Sequence, residues 1–352
     1  MLIKNRIIQN KIESNNYNNK YIINDYDNYL KFDFSPIYRE KLYNTELLLI
    51  TNSDNLNDIY LWLDWHLNII KFEHIILVDN NNIPLLNDIC QKFNNVKYIH
   101  KPGILSQSEI YTEYVNKSNA KWVLPIDDDE YLYISNKFNN NINVYIEYLQ
   151  SIKPMYKYSF NWHMMYSDHL KENREGKNLF EDFPYEYIGN TFMYYDNLEL
   201  IKTLVNTEIK HLYINENNPG QSFDADKIID TSDKNIFTLP EDFLGLLHNP
   251  ISKKNNEFVH SYNEETNKIY PGTFNNGEIN PNANAFLMHF KYRTKTEWMN
   301  KIDKFKFTNI SNKYKNACYN SYKIIRCYKI INKSLLRLNN KLLDIYDNKK
   351  TN

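Results

Sequence analysis

Ala120-Lys121-Trp122-Val123-Leu124-Pro125-Ile126-Asp127-Asp128-Asp129-Glu130-Tyr131 is the stretch on which the reading of this chain turns. Trp122 to Ile126 is a short apolar run of the kind that forms a buried strand, and it ends abruptly in four acidic residues. Carboxylates are almost never buried unpaired, so four at a strand end call for a cation or a set of donors close by. Oxygen ligands of this type suit hard divalent ions such as Mg²⁺ or Mn²⁺, which commonly bridge to substrate phosphates. The competing interpretation is a solvated acidic turn.

Upstream, the chain alternates. Glu46–Thr51 is an apolar run suited to a buried parallel strand, and 55–70 carries apolar residues at helical spacing. His74–Val78 reads as a second strand closed by Asp79-Asn80-Asn81-Asn82. Pro84–Phe93 reads as a second helix, Val96–His100 as a third strand and Ser106–Ser118 as a third helix. The order β-α-β-α-β-α-β argues for an α/β fold with a parallel sheet and helices on both faces. Ligands in such sheets bind beyond the carboxyl ends of the strands, where Asp79 and the Asp127 cluster both fall.

After Glu130 the pattern changes. Ile142–Leu149 is helical; 156–162, 191–195, 208–213 and 285–290 read as strands, and 296–305 as a helix, which makes the sheet mixed. Three segments follow: a polar extension over 1–43, a catalytic domain over 44–310 and a basic helical segment over 311–352. The last carries ten lysines and arginines against Asp344 and Asp347, in a chain of net charge −1. Such a segment suits a homodimer contact or a peripheral membrane contact. The global balance gives no reason to expect nucleic acid. Cys90, Cys318 and Cys327 have no metal-ligand spacing and fit a reducing compartment. With no apolar leader and no run of spanning length, the expected location is cytoplasmic.

The ordered motifs resemble the GT-A glycosyltransferases, specifically the family-2-like and family-92-like group. The resemblance rests on Asp64-Trp65-His66 in the first helix, Asp79-Asn80 after the second strand, and Gln107 with Tyr111 in the third helix. It continues through Asp127-Asp128-Asp129-Glu130-Tyr131, Phe160-Asn161-Trp162, Lys202-Thr203 and His289-Phe290 with the Arg293-Thr294-Lys295 that follows, over roughly 44–306. Asp64 stands where Glu is commoner in that group, and Tyr131 where Phe is commoner.

The resemblance implies a Rossmann-like nucleotide-diphospho-sugar transferase fold and transfer of a sugar from a nucleoside-diphosphate donor, UDP-linked for preference. The acceptor would be a hydroxyl of a glycan or glycoprotein, reached with inversion. It implies that Asp127 and Asp129 handle a metal–diphosphate, with Mn²⁺ or Mg²⁺ as cofactor, and that His289 is a further metal ligand. Donor-binding candidates are Asp79, Asn80, Gln107, Asp127, Lys202, Arg293 and Lys295. For Asp79 the alternative is a capping role at the following helix; for His289 it is a satisfied core histidine. Lys202 contacts phosphate or lies on the surface.

A carboxylate must act as base if the transfer inverts. Asp168, Asp182 and Asp242 are candidates by loop position, as are Glu181 and Glu241, and nothing in the sequence separates them. Trp162, in a polar context, is the candidate sugar platform, whereas Trp65 reads as core. Two other classes remain open. A sugar-nucleotide nucleotidyltransferase would want a glycine-rich loop after the first strand, where this chain has Thr51-Asn52-Ser53-Asp54. A non-catalytic GT-A-fold binding or assembly protein would have kept Asp127 and Asp129 without turnover.

Overall fold

The computed structural model describes residues 31–103, 106–166, 173–174, 178–187, 201–213, 249–255, 257–270, 280, 282–291, 293–294, 296–297, 299–300 and 336–338. Its first half follows the expected alternation. β1 (Tyr43–Thr51), α1 (Leu56–Asp64), β2 (His74–Asp79), α2 (Asn87–Cys90), β3 (Val96–His100), α3 (Gln107–Lys117) and β4 (Ala120–Pro125) succeed one another. β1 pairs in parallel with both β2 and β4, and β2 with β3, so Thr51, Asp79, His100 and the acidic turn after β4 share one edge.

Helices cover both faces of this sheet. Leu47, Leu49, Ile75 and Leu77 pack with α1, α2 and α4 (Ile142–Ile152) in one core cluster. Leu48, Ile76, Val78 and Val123 face the other way and meet Ile110, Tyr111 and Val115 of α3. The alternation along β1 and β2 is the period-2 consequence of strand geometry. The fold is therefore an α/β, Rossmann-like mixed sheet.

The mixed part joins two expected strands, over 156–162 and 285–290, to two that the sequence pattern did not disclose. β5 (Glu130–Ile134) leaves the acidic turn directly and pairs antiparallel with β14 (Ala285–His289). β8 (Ile201–Asn206) runs antiparallel between β4 and β6 (Lys157–Tyr166). The strand expected over 208–213 is only the two-residue β9 (His211–Leu212). Every residue of β8 is buried, so the alternation that marks a half-exposed strand is absent there, and Lys202 disguises it further. The strand expected over 191–195 lies outside the described residues.

Among the described residues β5 has a neighbouring strand on one side only. Its other edge is satisfied by side chains of α1 and of the π-helical turn Trp65–Ile69 that extends it. The Trp62 indole donates to the Glu130 carbonyl at 2.9 Å, the Trp65 indole donates to the Leu132 carbonyl at 2.8 Å, and the Leu132 amide donates to His66 Nε2 at 3.2 Å. An unpaired buried backbone group costs about 1–3 kcal/mol, so these three side chains take the place of a missing strand. His66 acts as the neutral tautomer, Nδ1 donating to the Trp62 carbonyl at 2.8 Å, and burial pushes its pKa down to about 3. Trp65 and His66 of the Asp64-Trp65-His66 motif, with Trp62, thus anchor β5, and Trp65 is core as expected.

β6 is buried along its whole length but has two different faces. Tyr158, Phe160 and Trp162 pack in the main core. Lys157, Ser159, Asn161 and His163 alternate with them and are buried in a polar layer. There Asn263, in β12 (Ser261–Asn263), donates to Asn161 Oδ1 at 2.8 Å. His163 lies 2.6 Å from Glu186, in β7 (Tyr185–Tyr187), and 3.2 Å from Glu265.

The tail bears one correction. The basic segment expected to be helical contains β15 (Leu336–Leu338), which pairs antiparallel with β7 and so belongs to the sheet. Leu336-Arg337-Leu338 alternates with period 2, a signal too short to compete with helical spacing in the surrounding sequence. The rest of that segment, with its expected dimer or membrane contact, lies outside the described residues. No described helix is long and apolar enough to cross a membrane.

Candidate active site at the acidic turn after β4

β4 ends at Pro125, and Ile126 carries the chain into the turn Asp127-Asp128-Asp129 before β5 begins at Glu130. The four acidic side chains have separate destinations. Asp127 Oδ1 accepts from Gln107 Nε2 at 3.0 Å and from the Tyr111 hydroxyl at 3.4 Å, while Oδ2 accepts from Lys202 Nζ at 3.0 Å. Asp128 turns back to accept from the Thr51 hydroxyl. Asp129 Oδ1 faces His289 Nε2 at 3.4 Å. Glu130 is fully buried, accepting the Asp127 amide at 3.0 Å on one oxygen and facing Lys202 at 3.6 Å with the other.

Lys202 is the centre of this arrangement, and it is neither surface nor an open phosphate contact. Its side chain is 2% exposed and lies 5.9 Å from the Trp162 ring centroid. Burial alone would depress the ammonium, but Asp127 and Glu130 outweigh it and hold the pKa above its ordinary value. Burial pushes the Glu130 carboxyl well above the carboxylate range, against the opposing pull of Lys202. Burial and the Asp127 charge likewise push the Tyr111 hydroxyl up, so it serves as a neutral donor.

Trp162 stands edge-on to His289, with ring centroids 4.2 Å apart. At 5% exposure it is the floor of the site and not the open sugar platform expected from its polar sequence context. With the ring buried against His289 and beside the Lys202 ammonium, a sugar has no open ring face to stack on.

The metal-ligand set is also narrower than expected. Among the described residues, no group of three or more His, Cys, Asp or Glu side chains is placed to hold a metal ion. Asp127 is drawn to Lys202, Gln107 and Tyr111, which leaves the Asp129–His289 pair. One carboxylate and one imidazole fit a divalent cation whose other positions are taken by phosphate oxygens and water.

Arg293 does not point to a diphosphate. Its guanidinium joins the Asp58 carboxylate at 2.7 Å to the Asp128 carbonyl at 3.3 Å. Asp79 is fully buried and spent on its own loop. Oδ1 accepts from the Asn81 amide at 2.9 Å and side chain at 2.8 Å, and Oδ2 from the Leu86 amide at 3.1 Å and the Tyr98 hydroxyl at 2.8 Å. Those four donors match the capacity of a carboxylate, so Asp79 ties the loop ahead of α2 to β3, whereas the expected capping of the helix itself is absent among the described contacts. The Asn80 side chain donates to the Lys101 and Gly103 carbonyls, both at 2.8 Å.

Of the candidate bases, Asp182 closes the short α5 (Leu179–Asp182) at 1% exposure, out of reach for an incoming hydroxyl, while Glu181 is exposed. Asp168, Asp242, Glu241 and Lys295 lie outside the described residues. The residues whose roles sequence reasoning missed are Glu130, read as part of the acidic run and of the Asp127–Tyr131 motif but given no role of its own, and Asp58 with Arg174. Arg174 forks onto Asp58 with two contacts of 2.6 Å and also meets Glu297. Asp58 sits in the first turn of α1, where an acidic residue looks like an ordinary helix-start signal.

No family model matches the chain, and no curated protein matches it significantly. Among solved structures, similarity is found to 4-diphosphocytidyl-2C-methyl-D-erythritol synthase from Anaerococcus prevotii DSM 20548. Identity is 12%, covering 47% of this chain and 71% of that one, with a TM-score of 0.26. A mannosyltransferase from Pyrobaculum calidifontis, solved with GDP-Man and Mn²⁺, aligns at 8% identity over 42% of this chain and 43% of its own, with a TM-score of 0.27.

Proposed function

We propose that this chain is a GT-A-type glycosyltransferase that takes a nucleoside-diphosphate sugar, UDP-linked for preference, and transfers the sugar to a glycan or glycoprotein hydroxyl with inversion. The observation that carries the reading is the acidic turn itself. It leaves a parallel strand at the ligand-binding edge of the sheet, with Asp129 3.4 Å from His289 and Asp127 held by three donors. Asp129 and His289 would hold Mn²⁺ or Mg²⁺, which when bound supplies Lewis-acid stabilisation to the departing diphosphate.

The chain's own residues fix the geometry. Gln107, Tyr111 and Lys202 orient Asp127, whose side chain remains 33% exposed and is the part of the cluster that meets a donor hydroxyl. Trp162 and the buried Glu130–Lys202 pair exclude water from beneath the turn. The loop after β1 disfavours the nucleotidyltransferase alternative. It has no glycine, and its Thr51 and Ser53 are engaged locally, the Ser53 amide on the Thr51 hydroxyl at 2.9 Å and that hydroxyl on Asp128.

The test is calorimetric titration of UDP, GDP and CDP, and of their sugar conjugates, with Mn²⁺ and with EDTA. Mn²⁺-dependent binding of one nucleotide class, with slow hydrolysis of its sugar conjugate, is the expected outcome. Absence of binding to every nucleoside diphosphate in the presence of metal would sink the proposal. Catalytic action within 44–310 is part of it, with the amendment that β15 completes the sheet beside β7.

A further inference from the structure

Four consecutive backbone carbonyls of the acidic turn accept hydrogen bonds from other parts of the fold, and one of them, that of Asp127, accepts from within the turn as well. The Asp127 and Glu130 oxygens accept from the Trp62 indole at 3.2 and 2.9 Å, and Asp127 also from the Glu130 amide at 3.2 Å. The Asp128 oxygen accepts from Arg293 Nη2 at 3.3 Å, and the Asp129 oxygen from the Phe290 amide at 2.8 Å. Turns at sheet edges ordinarily leave such groups to water. This one is tied between α1 on one side and the exit of β14 on the other.

Arg293 is the only charged member of that set, and its other arm is anchored. Nη1 donates to Asp58 Oδ2 at 2.7 Å, and Asp58 is in turn gripped by the Arg174 fork at 2.6 Å on each oxygen and by Asn55 at 3.0 Å. Arg293 therefore runs from a fixed carboxylate at the start of α1 to the peptide that joins Asp128 to Asp129. A planar fork is suited to this because it holds two acceptors in one rigid geometry. It also places a positive charge against a turn whose own charges repel one another.

We infer that Arg293 is a positioning residue: through the Asp128 carbonyl it sets the direction of the Asp129 carboxylate toward His289, and so tunes cation affinity without touching the cation. This rests on the reading above that Asp129 and His289 are the cation pair. Arg174 provides the internal control, because it binds the same Asp58 and does not reach the turn. Loss of either arginine removes a buried ion pair and lowers stability, but only loss of Arg293 frees the Asp128 peptide.

The experiment titrates Mn²⁺ alone into the full chain and follows the free-ion signal by electron paramagnetic resonance, with melting temperatures in parallel. Arg293→Met is expected to weaken Mn²⁺ binding about tenfold, the low end of the range that outer-sphere changes produce. Arg293→Lys should recover part of the loss, since an ammonium reaches one of the two acceptors. Arg174→Met should lower the melting temperature while leaving Mn²⁺ affinity within about twofold, since it touches no group on the turn.

If Arg293→Met fails to fold, Asp58→Asn serves in its place, with the same direction and a smaller loss. Equal Mn²⁺ affinity in wild type and Arg293→Met overturns the inference, as does equal weakening by Arg174→Met, or a wild type that binds no Mn²⁺. A parallel titration with UDP, GDP and CDP separates the two claims. Arg293-dependent Mn²⁺ binding without any nucleotide binding keeps the positioning role and removes the transferase reading. Nucleotide binding whose metal dependence ignores Arg293 does the reverse.

Discussion

Two lysines of adjacent antiparallel strands are buried in this molecule, and their surroundings have opposite character. Lys202 of β8 lies across from Phe160 of β6, and Lys157 lies three residues away on β6, on the opposite face of that strand. Lys202 has Asp127 at 3.0 Å and Glu130 at 3.6 Å, and its pKa is raised. Among the described residues Lys157 has one hydrogen-bond partner, the Pro250 carbonyl at 2.7 Å, and burial pulls its pKa down to about 7. The first site keeps a full positive charge in place to organise carboxylates. The second tolerates an amine that is half neutral near pH 7. A buried lysine is therefore not in itself a sign of function; what distinguishes Lys202 is the pair of carboxylates aimed at it.

The comparison breaks most directly at Lys202. Lys202→Met removes the partner of a buried Glu130 and a half-buried Asp127, and breaking such an arrangement costs about 3–5 kcal/mol. Urea denaturation of the variant should show a loss of that order at neutral pH. A loss under about 1 kcal/mol would mean that Glu130 carries its proton in the folded chain and needs no partner.

A smaller effect, confined to binding, is expected from Asp129 and His289, the proposed cation pair. Asp129→Asn should weaken Mn²⁺-dependent nucleotide binding by at least about 10–100-fold, the loss that even outer partners of a metal produce. His289→Ala should act in the same direction and less strongly. A fall in melting temperature with unchanged nucleotide affinity in His289→Ala would show that this histidine is core. Asp79→Asn supplies the contrast: nucleotide affinity stays level while stability falls by about 1–3 kcal/mol, because an amide nitrogen then faces the Leu86 amide and the Tyr98 hydroxyl.

The same contrast explains what was readable in the sequence. The four parallel strands and the helices between them announce themselves because each strand is a continuous apolar run closed by polar turn residues, and each crossover is short. Asp127 and Asp129 were legible for the same reason, since an acidic cluster after Trp122–Ile126 can only lie at a strand end. β5 and β8 were not legible. The first follows the acidic turn without a spacer, and the second carries Lys202, whose charge belongs in the interior only because Asp127 and Glu130 come from another strand and its turn.

Pairings that depend on tertiary structure leave no local trace. Arg293 read as a phosphate ligand because a basic residue after His289 has no visible partner in sequence, whereas Asp58, 235 positions earlier, meets it in the fold. Trp162 read as a platform because Asn161 and His163 flank it, and those side chains belong to the other face of β6, where Asn263, Glu186 and Glu265 receive them.

The smallest effect concerns pH and tests the other half of the comparison. The folded pKa of Lys157, about 7, lies below the ordinary lysine value of 10.5, so between those limits the unfolded chain binds more protons at this site than the folded one. Stability must then rise with pH across that window, by at most about 1.4 kcal/mol per unit from this group. Below about pH 7 both states are protonated, and the full cost of the buried charge is present. Lys157→Met removes the group, so the difference in unfolding free energy between variant and wild type should favour the variant most at or below neutral pH and shrink steadily toward pH 10. Subtracting the two chains cancels the tyrosines and other lysines that titrate in the same range. His211 and His260, whose pKa values are also lowered by burial and by Lys157, face the same region and titrate below the window. A difference independent of pH from 7 to 10 would show that the ammonium is charged throughout and has found a counter-ion, and the two lysines would then be alike.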